Sequence, residues 1–76
     1  MLENLKNYFR SEKELNEFML SEGFKKDESE EYHNQLVYFN GKTTIVINYE
    51  FEDGIYFISD DSFYYHNNGI CFDLFE

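Results

Sequence analysis

Tyr49-Glu50-Phe51-Glu52-Asp53-Gly54-Ile55-Tyr56-Phe57-Ile58 is the stretch that decides the fold. Large apolar residues alternate with acids up to Asp53-Gly54, a pair that tolerates the positive φ angles of a type I′ turn. Beyond the turn, apolar and aromatic residues resume. With a two-residue loop at Asp53-Gly54, Phe51 faces Tyr56 and Tyr49 faces Ile58, so apolar side chains meet across the pair. That is a β-hairpin read from ten residues.

The same punctuation recurs on either side, at Asn40-Gly41 and Asn68-Gly69. Treated as two-residue loops, these set Leu36 opposite Ile45 and Tyr38 opposite Thr43. Downstream they set Tyr65 opposite Phe72, Phe63 opposite Leu74 and His66 opposite Cys71. Strands are expected near 35–40, 43–51, 55–59, 62–67 and 70–75. One face of this meander would hold Leu36, Ile45, Ile47, Tyr49, Phe51, Tyr56, Ile58, Phe63, Tyr65, Ile70, Phe72 and Leu74. The other would carry Val37, Phe39, Val46, Phe57 and Tyr64 among Thr44, Asn48, Glu50, Asp60 and Asp73.

Upstream the period changes. Ser11-Glu12-Lys13-Glu14 reads as a capping box, Leu15, Phe18 and Met19 follow at helical spacing, and Gly23 is placed to stop the helix. A helix from about Ser11 to Glu22 is expected. Leu2, Leu5 and Phe9 fit a second, shorter one. The fold class is therefore α+β: a five-stranded antiparallel β-meander with one or two N-terminal helices packed on one face. A single domain over 1–76 is expected, helical at 1–23, an acidic connector at 25–33 and the meander at 35–75.

Length and composition agree. A 76-residue chain buries somewhat over ~60% of its unfolded surface, so the core is small. Nine Phe and seven Tyr supply large buried areas and separate the chain from disordered acidic sequences. The lone Cys71 excludes an internal disulfide, and a reducing cytoplasm is expected. The opening residues Met1 to Lys6 have no basic-then-apolar pattern, so no signal peptide is read. The longest apolar run, Leu36 to Phe39, is too short for a membrane span.

Charge is one-sided. The first 42 residues carry nine acids and six bases, a net of −3; after Lys42 come seven carboxylates and no base, a further −7. A net charge of −10 argues against direct binding of DNA, RNA or anionic lipid, and for a basic protein as partner. Acids two apart on a strand, such as Glu50 and Glu52, project ~6.8 Å apart on one side, comparable to charge spacing along a nucleic-acid backbone. The expected partner-binding surface is the strip Glu50, Glu52, Asp53, Asp60, Asp61 and Asp73, anchored by Phe57 and Tyr64. The alternative is that the N-terminal segment, through Leu2, Leu5, Tyr8 and Phe9, folds across the second face and covers part of it.

Catalytic chemistry is not expected. A zinc site built on His66 and Cys71, with Asp60, Asp61 or Asp73 as a further ligand, lacks convergent spacing. Cys71 with His66 as base lacks an oxyanion-hole element. Asp60-Asp61 lacks the spaced acids of a calcium loop. Phosphate-loop, HExxH and GxSxG motifs are missing, so no catalytic, cofactor or metal residue is assigned and the chain is read as a non-enzyme.

In overall character, short, acidic, Tyr- and Phe-rich and α+β, the chain resembles phage or mobile-element anti-defence proteins, including DNA mimics and anti-CRISPR proteins. That resemblance implies an inhibitor in a bacterial cytoplasm that occupies a basic, nucleic-acid-binding surface of a nuclease, repair enzyme, polymerase or CRISPR effector. Two alternatives belong to other classes. One is an immunity protein neutralising a basic toxin; the other is a self-assembling adaptor, a homodimer burying the Phe39–Val46–Phe57 region.

Overall fold

A computed structural model describes residues 2–29 and 33–75. Its elements are β1 (Tyr8–Phe9), α1 (Glu12–Ser21), β2 (Lys25–Lys26), β3 (Gln35–Phe39), β4 (Thr43–Glu52), β5 (Ile55–Ile58), β6 (Phe63–His66) and β7 (Cys71–Asp73). The fold is α+β, one helix and an antiparallel sheet among the described residues. Part of the expected connector, Glu30, Glu31 and Tyr32, lies outside the described residues, as do Met1 and Glu76.

The Asp53-Gly54 hairpin has the expected register, Tyr49 with Ile58 and Phe51 with Tyr56. Both turn residues take positive φ, 52° and 78°, as a type I′ turn requires. The other two hairpins are shifted. At the first, Gly41 and Lys42 form the loop, Asn40 N–H donates to Thr43 C=O, and Asn40 Oδ1 accepts from the Lys42 and Thr43 amides at 3.0 and 2.7 Å. Only Gly41 has positive φ there, the pattern of a type II′ turn. Leu36 consequently pairs with Ile47 and Tyr38 with Ile45; a slide of two residues leaves every side chain on its expected face.

At the last hairpin the shift is one residue. Gly69 N–H donates to His66 C=O at 2.8 Å, Gly69 takes φ +84°, and the loop lengthens to Asn67-Asn68-Gly69. Tyr64 therefore pairs with Phe72, Tyr65 with Cys71 and Phe63 with Asp73. A single-residue slip reverses β6 relative to β7, so Phe72 keeps its expected core side and now meets Tyr64 rather than Tyr65.

The connectivity also departs from a simple meander. β6 does not pair with β5; both lie against β4, β5 along Tyr49 to Glu52 and β6 along Thr43 to Val46. They are two halves of one strand, interrupted by Ser59-Asp60-Asp61-Ser62. Ser62 closes the break: fully buried, its Oγ accepts from Asn48 N–H at 2.9 Å and donates to Asn48 C=O at 3.1 Å. A side chain takes the place of a ladder residue, so the bulge leaves few backbone groups of β4 unpaired. Face parity carries through the break, which corrects the expected sides of β6. Tyr64 points to the core face, Phe63 and Tyr65 away from it.

The helix forms where expected. Ser11 Oγ accepts from Glu14 N–H at 3.1 Å, while the Glu14 carboxylate reaches the Arg10 amide, one residue upstream of the usual capping-box partner. Its other end is a Schellman cap: Gly23 at φ +89°, Phe24 N–H on Met19 C=O and Gly23 N–H on Leu20 C=O. The accompanying apolar contact is made by Phe24 and Met19, both in the core. Leu15 and Met19 press onto Leu36, Tyr38, Ile45, Ile47 and Ile58 of the sheet.

The expected second helix is not formed. Leu5 N–H closes a turn on Leu2 C=O, and Tyr8–Phe9 adds to the edge of β5, with Phe9 stacked on Tyr56 at 4.9 Å. Phe9 brings an aromatic ring to the open end of the core, and extended backbone places it there. Lys25 and Lys26, expected within the connector, instead pair with Phe39 and Tyr38 as β2.

Candidate interaction face

Alternation along β4 sends Thr44, Val46, Asn48, Glu50 and Glu52 to the side opposite α1. Register adds Gln35, Val37 and Phe39 from β3, Phe63 and Tyr65 from β6, and Phe57 from β5. Leu2, Leu5 and Phe9 pack on the core side instead, and of the four residues expected to cover the outer face only Tyr8, paired with Phe57 at the β5 edge, lies on it. An aromatic sheet face is left open.

Its centre is a hollow of about 580 Å³ over Val37, Phe39, Val46, Phe63 and Tyr65, edged by Asp27. The rings of Phe63 and Tyr65 stack 6.3 Å apart, and Val46 beneath them is only 7% exposed. Phe39 on the rim is 41% exposed. Asp27 accepts hydrogen bonds from the Ser29 hydroxyl and amide, which hold its carboxyl below the usual range and keep it anionic.

Asn48 joins this hollow to the acidic end of the face. Its side-chain oxygen accepts from Gln35 Nε2 at 2.8 Å and its Nδ2 donates to Asp61 C=O at 3.3 Å, while its backbone holds Ser62. With Ser59 N–H donating to Asn48 C=O at 2.7 Å, the Asp60-Asp61 loop is tied to Asn48 through Ser59, Asp61 and Ser62. Beyond it, Glu50, Phe57 and Asp60 line a second hollow of about 310 Å³, with Phe57 42% exposed.

Of the eight residues expected to bind a partner, Glu50, Phe57 and Asp60 are thus brought together. Glu52 follows on the same side of β4, and Asp53 and Asp61 occupy the adjoining turn and loop. Asp73 stands apart on the edge strand β7, opposite Phe63. Tyr64, expected outward, lies on the opposite face, stacked on Phe72 at 5.2 Å and packed against the core. Phe63 and Tyr65 take the outward role, set by pairing with β4 across a break that no local sequence signal marks.

Cations do not neutralise the acidic end. Among the described residues the ion pairs are Lys26 of β2 with Glu12 of α1 at 3.3 Å and Lys13 with Glu17 within α1 at 4.0 Å. Lys25 shares the outer face only at its β2 margin, and Lys6 stands over the Tyr8 ring at the β1 margin.

The expected His66–Cys71 pairing does not form, because Cys71 stands opposite Tyr65. His66 Nδ1 is instead hydrogen-bonded to buried Thr43 Oγ1 at 2.8 Å, with Tyr64 and Phe72 against its ring. Among the described residues no three His, Cys, Asp or Glu side chains converge as metal ligands, and no helix is long and apolar enough to cross a membrane. Comparison with known proteins finds no matching family model, curated protein or solved structure.

Proposed function

We propose that this chain is a protein-binding inhibitor whose outer sheet face occupies a basic, nucleic-acid-binding surface of another protein, in the manner of an anti-defence DNA mimic. The observation that carries it is the open face itself, where exposed aromatic rings adjoin Glu50, Glu52 and Asp60 with no cation paired to them among the described residues. Contiguous apolar surface rimmed by like charge has the composition of an interface. Carboxylates of a −10 chain steer it toward a cationic cleft, and the rings supply area to desolvate once it arrives.

The test is competition. Capture from host lysate at low ionic strength, with mass spectrometry, identifies the retained protein, whose binding to DNA or RNA is then measured with and without this chain. Displacement of the nucleic acid by the parent, and its loss in the Glu50→Gln, Glu52→Gln, Asp53→Asn triple variant, is the expected result. A captured protein that binds nucleic acid equally well in the presence of the chain rejects the mimic.

A further inference from the structure

We infer that the outer face is a two-part socket for one basic amphipathic α-helix of the partner, its apolar residues seated over Val37, Val46, Phe63 and Tyr65 and its cations over Glu50, Glu52 and Asp60. This rests on the proposed function and says what form the cationic surface takes.

Backbone accounting selects a helix. The strands under the hollow are paired with one another, β4 between β3 and β6, so among the described residues the backbone groups at the centre of the sheet are directed to neighbouring strands. An extended peptide laid there would lose water from its own backbone and gain no partner. A helix satisfies its backbone internally and buries one stripe, as α1 already does on the inner face.

Spacing then sets the helix pattern. Val46 and Glu50 are four residues apart on one side of β4, ~14 Å at ~3.4 Å per residue. A helix along β4 covers that span in about nine residues at ~1.5 Å each. Apolar residues at i and i+4 would fill the hollow, and Arg or Lys at i+7, i+8 and i+11 would reach the acids. Charge supports this polarity: Asp27 edges the hollow and the acids fill the far end, while Lys25 stays at the margin.

The test uses the full chain, its amides followed by NMR during titration with three synthetic peptides. The first is helical, with Leu and Arg at those positions. The second is its scrambled isomer, and the third an oligolysine of equal charge. The patterned peptide is expected to shift amides at Val37, Val46, Phe63 and Tyr65 together with those at Glu50 and Phe57. It should bind at least about tenfold more tightly than the scramble, the gain of one buried apolar anchor. Phe39→Ser at the exposed rim should erase that preference without unfolding the chain.

Equal binding of all three, with shifts confined to Glu50, Glu52, Asp53 and Asp60, overturns the socket and leaves the electrostatic mimic standing. No shift with any peptide overturns both. Shifts over Val37, Phe63 and Tyr65 that grow with protein concentration alone assign the hollow to a second copy of the chain and overturn the socket.

Discussion

Ser62 Oγ sits between the amide and carbonyl of Asn48, 2.9 and 3.1 Å away, and so replaces a residue of the strand that would otherwise pair there. This contact permits β5 and β6 to follow one edge of β4 with four residues looped out between them. It also fixes which side chains of β6 point outward. Ser62→Ala would leave Asn48 N–H buried without an acceptor, at a cost of about 1–3 kcal/mol. Urea unfolding should record that loss, and the Asn48 amide should exchange faster with solvent than its β4 neighbours.

Tyr38 is expected to report on alkaline unfolding. Its ring is buried beneath α1, its hydroxyl donates to Asn16 Oδ1, and burial with the nearby Glu12 charge pushes the phenol well above its ordinary value of about 10. The folded state favours the neutral phenol. Its contribution is therefore complete below pH ~10 and is lost as pH rises above that value. Ultraviolet titration should find the Tyr38 phenol ionising only with unfolding. Tyr38→Phe should remove that late step and cost about 0.5–1.5 kcal/mol at neutral pH through the lost hydrogen bond.

Gly23 tests the helix stop. Added bulk would meet no atom within 4 Å, so the cost of Gly23→Ala is the left-handed backbone alone, at φ +89°. A loss of about 1–2 kcal/mol is expected in thermal or urea melts. A neutral result would mean that the Schellman cap relaxes without penalty.

Neutralising acids should spare the fold. Glu50, Glu52 and Asp53 are exposed and make no ion pair among the described residues, so the triple Gln/Gln/Asn variant should match the parent within about 0.5 kcal/mol, or exceed it as repulsion falls. Equal urea midpoints check this. Any binding defect of the variant then belongs to the surface.

The Asp53-Gly54 hairpin is legible in sequence because turn chemistry and apolar alternation are local and agree. The helix is legible for the same reason, through Ser11, Glu14 and Gly23. The break between β5 and β6 is not, because a side chain closes it, and Ser59-Asp60-Asp61-Ser62 has the composition of any turn. That hidden contact is why Phe63 and Tyr65 looked inward and Tyr64 outward. β1 and β2 are two residues each, too short to show a period; long-range pairing alone makes Phe9 extended. Within the proposed strip, charge marks Glu50 and Asp60 in the sequence, whereas the hollow beside them depends on strand register that turn composition misplaces by one or two residues.

The most direct measurement is the association rate of this chain with its captured partner, for the parent and the Glu50/Glu52/Asp53 variant, at low and high salt. Electrostatic steering by the outer face predicts fast association of the parent that falls steeply with salt, and a variant that associates more slowly and with a weaker salt dependence. Equal rates for the two proteins at low salt would contradict the account.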